Sequence, residues 1–132
     1  MRVLLIDDDA AVLEVVALLL AAQGHEVVTA IGGRDGLARL SAGEVVDLVL
    51  TDLAMPGMSG WDVVRAVRTT WPDLPVGLVT GTPDHLPAKA EPVDVLIDKP
   101  VTLESLHVAM SRVEALLSRR RAGPAQPRSL PE

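Results

Sequence analysis

Apolar residues recur along the chain in five short runs, each bounded by Gly, Pro or Asp. The runs are rich in Val, Leu and Ile, and their length and composition predict β-strands. They lie at residues 3–6, 26–30, 47–51, 75–79 and 94–97. Because polar residues hardly interrupt them, we expect strands that are buried on both faces, as in a parallel sheet.

Helical patterns follow four of the five runs. Three of them occupy residues 10–22, 33–41 and 60–70. The fourth places five apolar side chains on one helical face: Leu103, Leu106, Met110, Val113 and Leu117. Strands and helices that alternate in this way predict right-handed crossovers and a single doubly wound α/β domain with a five-stranded parallel sheet.

Two segments depart from the alternation. Residues 81–92 contain three prolines between the fourth and fifth strands, so we expect a short or irregular fourth helix there. After residue 118 the sequence RRRAGPAQPRSLPE has no apolar periodicity. We therefore expect a folded domain over residues 1–118 and a flexible tail or the start of a linker over residues 119–132.

Composition narrows the class of protein. The 132 residues suit one domain, and the absence of cysteine excludes disulfides and thiolate metal sites. The formal charge of -6 argues against nonspecific nucleic-acid binding by the body of the domain. The sequence has neither a membrane-spanning segment nor an export signal, so we expect a cytoplasmic protein.

Polar residues stand where the predicted strands end. Asp7 and Asp8 follow the first strand, Asp52 the third, Thr80 the fourth and Lys99 the fifth. Because ligands bind outside the carboxyl ends of the strands in such sheets, we expect these five side chains to converge. The convergence predicts a functional site at this edge of the sheet.

The residue types in this group indicate its chemistry. Three carboxylates repel one another, and a single lysine cannot neutralise them. Oxygen ligands without His or Cys favour Mg²⁺, which phosphate oxygens commonly help to coordinate. Beside Mg²⁺, Lys99 and Thr80, the carboxylate of Asp52 would be a suitable nucleophile for a phosphoryl group, and the product would be an aspartyl phosphate.

Four motifs in this order resemble one known family. VLLIDDD, LVLTDLAMPGMSG, VGLVTG and LIDKP are similar to the receiver domain of two-component response regulators, over roughly residues 2–118. The resemblance implies a flavodoxin-like (βα)5 fold and a phosphoacceptor role for Asp52. It also implies that Asp7, Asp8, Asp52 and the backbone carbonyl of Ala54 bind Mg²⁺.

The same resemblance assigns the remaining positions. Thr80 matches the switch hydroxyl and Lys99 the phosphate-sensing lysine, and the peptide between Lys99 and Pro100 is expected to be cis. Ala54 and Thr82 are expected to border the path of the water that hydrolyses the phosphorylated form and so to tune its lifetime.

The family also implies partners. A sensor histidine kinase or a phosphotransfer protein would donate the phosphoryl group, and the changed loops would alter affinity for a downstream protein. We expect a monomer or weak homodimer that promotes only its own phosphorylation and dephosphorylation, and that binds neither nucleic acid directly nor a membrane.

Departures from the family pattern leave two alternatives open. The chain has no Phe or Tyr, Leu96 stands where many receivers carry a switch aromatic, and Val101 stands where a Phe often follows Lys-Pro. One alternative is therefore a receiver-like scaffold that is never phosphorylated. The other is a Mg²⁺-dependent phosphatase of the haloacid dehalogenase-like kind, with Asp7 as nucleophile and Asp9 as acid, although we expect Asp9 to cap the first helix.

Overall fold

Five parallel strands and four helices build the domain. The structure is a computed structural model that describes residues 1–81 and 93–122, with side chains as far as residue 120. The strands are β1 (Arg2–Asp7), β2 (Glu26–Ile31), β3 (Leu48–Asp52), β4 (Val76–Thr80) and β5 (Val95–Asp98). The helices are α1 (Ala10–Ala22), α2 (Gly33–Ser41), α3 (Gly60–Thr70) and α4 (Leu103–Ala122). The predicted doubly wound α/β fold is confirmed.

The strand order sets where a ligand site forms. The sheet runs β2-β1-β3-β4-β5, with every neighbouring pair parallel. After β1 the chain forms β2 on one side of it and then crosses to form β3 on the other side. The direction in which strands are added therefore reverses between β1 and β3. A crevice opens at such a switch point, outside the carboxyl ends of the strands.

Helices cover both faces of the sheet. Val3 and Leu5 of β1 face a core shared with α1 and α4, whereas Leu4 and Ile6 face a second core shared with α2 and α3. This division follows from the two-residue period of a strand, which sends successive side chains to opposite faces. The central strands are therefore apolar at nearly every position.

Edge strands correct the expectation that all five strands are buried. Every residue of β3 and β4 is buried, but most of β2 is partly or fully exposed, and β5 alternates between buried and exposed positions. Ile31 of β2 and Leu96 of β5 are 55% and 40% exposed. An apolar run predicts a strand from its composition. The burial of that strand depends on whether it has a neighbouring strand on each side in the sheet.

The last helix runs further than the sequence indicated. α4 continues to Ala122, so it includes the first four residues of the segment expected to be a tail. Apart from Gly81, the segment of residues 81–92 that was expected to form an irregular helix, which includes Thr82, falls within residues 82–92, and the rest of the expected tail falls within 123–132. Both ranges lie outside the described residues. Within the described part of the chain, no helix combines the length and apolarity needed to cross a membrane.

Candidate phosphorylation site

Three polar residues end the three central strands. Asp7, Asp52 and Thr80 are the last residues of β1, β3 and β4, and each is at most 6% exposed. The three residues lie side by side at the same edge of the sheet because their strands are adjacent and parallel. Burying two carboxylates this deeply is unfavourable unless positive charge or hydrogen bonds meet them.

Asp8 joins the two buried carboxylates from the surface. One carboxylate oxygen from each of Asp7, Asp8 and Asp52 lies within 4.8 Å of the others, and Asp8 is exposed. The predicted convergence of the acidic residues is therefore found in the structure. The donor set consists of oxygens alone, on the open side of a crevice, and this is chemistry that suits a hard divalent cation.

Lys99 supplies the positive charge. Its Nζ lies 2.9 Å from Oδ1 of Asp52 and 3.8 Å from Oδ2 of Asp7. The backbone N–H of Lys99 donates to the carbonyl of Thr80 at 2.9 Å, which ties the residue to the end of β4. The peptide between Lys99 and Pro100 is cis, as the resemblance implied.

Burial and neighbouring charges shift the pKa of both Asp7 and Lys99. Burial raises the pKa of Asp7, and the charge of Asp52 raises it further, against the hydrogen bond from the Asp9 N–H and the charge of Lys99. Burial by itself would lower the pKa of Lys99, but the hydrogen bond to Asp52 and the surrounding carboxylates outweigh burial and raise it. Lys99 therefore stays cationic, and the cluster still carries excess negative charge.

Asp9 orients the cluster from the start of α1. Its side chain accepts hydrogen bonds from the N–H groups of Ala11 and Val12, at 2.9 and 3.4 Å, which confirms the predicted helix cap. Its own N–H donates to Oδ1 of Asp7 at 2.9 Å. The carboxylate of Asp9 thus caps helix α1, and the backbone N–H of Asp9 holds the side chain of Asp7 in place.

The loop after Asp52 returns closely past the end of β3. A Cβ at Gly60 would collide with the carbonyl oxygen of Asp52 and the Cα of Leu53, so this position needs a glycine. The Gly60 N–H donates to the carbonyl of Leu53 at 2.8 Å. Gly60 therefore anchors the first turn of α3 against the end of β3.

A capping box stabilises the same helix start. Ser59 and Asp62 each accept a hydrogen bond from the other's backbone N–H. The pair is not among the sequence predictions, although Ser-x-x-Asp ahead of an apolar helical pattern resembles the known signal for a capping box. Ala54 is exposed in the intervening loop, two residues beyond Asp52.

An apolar surface borders the site along α1. A groove of about 330 Å³ lies between this helix and the segment after β5, and it is lined by Ala11, Val12, Val15, Val16, Lys99, Pro100 and Val101. Val15 and Leu18, one turn apart on α1, are 57% and 66% exposed. Exposed apolar side chains at this spacing form a stripe that a partner protein could cover.

Comparison with known proteins identifies the family. Residues 3–111 match the model of the response regulator receiver domain. The chain belongs to this family. Receiver domains are phosphorylation-controlled switches of two-component signalling, and they are generally not catalytic beyond their own phosphorylation. Because this chain belongs to the family, it is a phosphorylation-controlled switch of this kind.

Curated relatives extend well beyond this receiver domain. The transcriptional regulatory protein GlrR of Escherichia coli K12 is 36% identical over 83% of this chain and 25% of its own length. The response regulator MprA of Mycolicibacterium vanbaalenii is 37% identical over 89% of this chain and 51% of its own. The chain thus spans about a quarter to a half of these relatives.

Solved receiver structures share the fold over nearly their whole length. A receiver domain protein from Clostridium thermocellum has a TM-score of 0.79 and 30% identity, over 92% of this chain and 97% of its own. TrrA of Thermotoga maritima, in complex with Mg²⁺-BeF, has a TM-score of 0.74 and 28% identity, over 85% of this chain and 97% of its own.

Proposed function

We propose that Asp52 is the phosphoacceptor of this receiver domain. A carboxylate oxygen of Asp52 forms a bond to phosphorus as the phosphorus–nitrogen bond of a donor phosphohistidine breaks, and the electron pair remains on the imidazole, which takes up a proton. The observation that carries the proposal is the contact of Lys99 Nζ with Asp52 Oδ1 at 2.9 Å, beside two further carboxylates.

Mg²⁺ is the metal ion that fits the cluster. Asp7, Asp8, Asp52 and the backbone carbonyl of Ala54 would hold it. The oxygen-only donor set and the excess negative charge around Asp7 support this assignment. When bound, Mg²⁺ would neutralise charge on the phosphoryl oxygens during transfer.

Lys99 and Thr80 would report the phosphorylated state. The ammonium of Lys99 would exchange its contact with Asp52 for a phosphoryl oxygen, and the Thr80 hydroxyl would donate to another. The Lys99 N–H already bonds the Thr80 carbonyl, so the ends of β4 and β5 would move together. A change in partner affinity of about 1–3 kcal/mol would suffice for a switch.

A sensor histidine kinase or a phosphotransfer protein would supply the phosphoryl group. Such a donor must cover the rim of the site, and the exposed Val15 and Leu18 on α1 provide an apolar contact there. We assign the switch to residues 1–118, as a monomer or weak homodimer in the cytoplasm that promotes only its own phosphorylation and dephosphorylation. Its downstream partner would be a protein, without direct binding of this domain to nucleic acid.

The test is the mass of the intact protein after incubation with acetyl phosphate. We expect one phosphoryl adduct that requires Mg²⁺, disappears in Asp52→Asn and persists in Asp73→Asn, a matched change at an exposed position. The absence of an adduct from folded, Mg²⁺-bound protein, with both acetyl phosphate and a phosphohistidine donor, would contradict the proposal. That result would favour the unphosphorylated scaffold.

A further inference from the structure

A hydroxyl group lies inside the apolar core directly before Asp52. Thr51 is fully buried, and its register partners on the two neighbouring strands are Ile6 and Leu78. Both partners belong to the apolar core between the sheet and helices α2 and α3, as does Val49, two residues earlier on the same face of β3. A valine in place of Thr51 would have the same branched shape without a polar atom. The hydroxyl needs a hydrogen-bond partner here, because burying it unpaired is unfavourable.

The partner of this hydroxyl is the backbone carbonyl of Asp52. The Thr51 hydroxyl donates to the carbonyl oxygen at 2.9 Å. The ladder between β1 and β3 has its last pair at Ile6 and Thr51, one residue before Asp52. The hydroxyl thus supplies a donor to this carbonyl at the point where the β1–β3 ladder stops.

Two further contacts surround the peptide between Asp52 and Leu53. Helix α3 approaches so closely that a Cβ at Gly60 would collide with the same carbonyl oxygen. On the other side of the peptide, the Leu53 N–H donates to the carbonyl of Val79 at 3.3 Å, which is long for a hydrogen bond of this kind. Because a peptide group is planar, its carbonyl and its N–H turn together. The Thr51 hydroxyl therefore also sets the direction of the Leu53 N–H.

The same peptide begins the loop that leads to Ala54. In the magnesium site proposed above, the carboxylate of Asp52 and the backbone carbonyl of Ala54 would both bind the ion. The peptide that Thr51 holds lies between these two groups in the chain. Metal ligands bind tightly when supporting hydrogen bonds keep them in the required orientation. Loss of the hydroxyl is therefore expected to weaken Mg²⁺ binding while the domain stays folded.

We propose that Thr51 is a positioning residue of the phosphorylation site. Its hydroxyl holds the Asp52–Leu53 peptide so that the Asp52 carboxylate and the Ala54 carbonyl face one Mg²⁺ ion. Since the Thr51 side chain faces the apolar core, it acts through the backbone and contacts neither the ion nor the phosphoryl group. This role presupposes that Mg²⁺ binds beside Asp52 and that Asp52 is the phosphoacceptor, as proposed above.

Magnesium titrations followed by backbone amide NMR signals test the role without a phosphoryl donor. Thr51→Val removes the hydroxyl and keeps the branched shape, whereas Thr51→Ser keeps the hydroxyl and removes a methyl group. We expect the dissociation constant for Mg²⁺ to rise about tenfold in Thr51→Val, at the low end of the effect of losing a supporting hydrogen bond at a metal site, and to stay within about twofold of the native value in Thr51→Ser. Thr51→Ala should resemble Thr51→Val, because it differs from Thr51→Ser only in the hydroxyl.

Two further measurements follow the peptide and the transfer reaction. In Mg²⁺-free protein, the Leu53 N–H should exchange with solvent faster in Thr51→Val than in the native chain, because the peptide is less firmly held. The rate of adduct formation from acetyl phosphate should fall in Thr51→Val at limiting Mg²⁺ and recover at saturating Mg²⁺.

Val49→Ala is the matched control for a looser core. It removes buried methyl groups from the same face of the same strand. The variant should therefore unfold at a lower urea concentration than the native chain, and its dissociation constant for Mg²⁺ should equal the native value.

The outcomes separate this role from the phosphoacceptor role of Asp52. Equal dissociation constants for Mg²⁺ in the native chain and Thr51→Val would overturn the positioning role, and so would a native chain that does not bind Mg²⁺. An equal rise in Val49→Ala or Thr51→Ser would assign the effect to packing and would also overturn it. The expected rise in Thr51→Val, in a chain whose native form accepts no phosphoryl group, would support the positioning of the Mg²⁺ ligands and contradict the phosphoacceptor role.

Discussion

The ammonium of Lys99 lies 2.9 Å from Oδ1 of Asp52 and 3.8 Å from Oδ2 of Asp7. One cation from the end of β5 thus serves two buried carboxylates from β1 and β3. One ammonium cannot neutralise the cluster, because Asp8 adds a third carboxylate close to those of Asp7 and Asp52. Stability and phosphorylation should therefore respond together to changes in this cluster.

Removing the cation should destabilise the domain. In Lys99→Gln the two buried carboxylates lose their only ammonium contact among the described residues, and we expect a loss of about 1–3 kcal/mol in the free energy of unfolding. Mg²⁺ should restore more stability to this variant than to the native chain, as measured by urea denaturation with and without the ion. An equal gain in both proteins would contradict the charge-sharing account.

Neutralising Asp7 should have the opposite effect without Mg²⁺. Because burial raises the pKa of Asp7, its ionised form is unfavourable in the folded state, and Asp7→Asn should unfold less readily at pH 7, by about 1 kcal/mol. The native chain binds the extra proton when folded, so its stability relative to the variant is greatest at low pH. The advantage of the variant should shrink once the pH falls below the raised pKa of Asp7 and vanish below the ordinary value of 3.8, and an advantage that persists below that value would exclude this cause.

Asp9 separates the receiver from the phosphatase alternative. Asp9→Ala should cost about 1 kcal/mol of stability through the lost helix cap, whereas Asp9→Ser, which can still cap, should cost much less. Both variants should accept a phosphoryl group from acetyl phosphate at a similar rate. Mg²⁺-dependent hydrolysis of a phosphate ester by the native chain that disappears in both variants would instead support an acid role for Asp9.

A substitution at Gly60 tests how closely α3 must approach the end of β3. Gly60→Ala places a Cβ against the backbone of Asp52 and Leu53, neither of which can move without shifting β3. We expect a loss of about 1–3 kcal/mol and slower phosphorylation. Gly81→Ala is the matched control, since among the described residues its Cβ would meet only Lys99, at an ordinary contact distance. Equal stabilities of the two variants would argue against the close approach.

Much of the fold could be predicted because the pattern of apolar and polar residues is regular within each short stretch of the chain. Apolar runs alternating with helical faces place each strand within one residue of its position in the structure, and Asp or Gly marks most boundaries. The five polar residues of the site could be grouped for the same reason, since parallel strands bring their carboxyl ends to one edge.

Edge exposure and helix length could not be read from the pattern. β2 resembles β3 in composition, but only the strand order shows that β2 has one neighbour. The arginines that end α4 lack an apolar period, yet the helix continues through them to Ala122, and Arg120 reaches the carbonyl of Asp73.

By itself, the sequence determined the element types, the parallel sheet, the family and the residues that meet at the end of the sheet. These follow from side-chain periodicity and from the chain order of strands, which are properties of local sequence. Only the tertiary structure shows that Lys99 is shared between Asp52 and Asp7, that Gly60 packs against the Asp52 carbonyl and that the Arg120 side chain reaches the carbonyl of Asp73. Each depends on distances between residues far apart in the chain, and these are set only when the helices pack on the sheet.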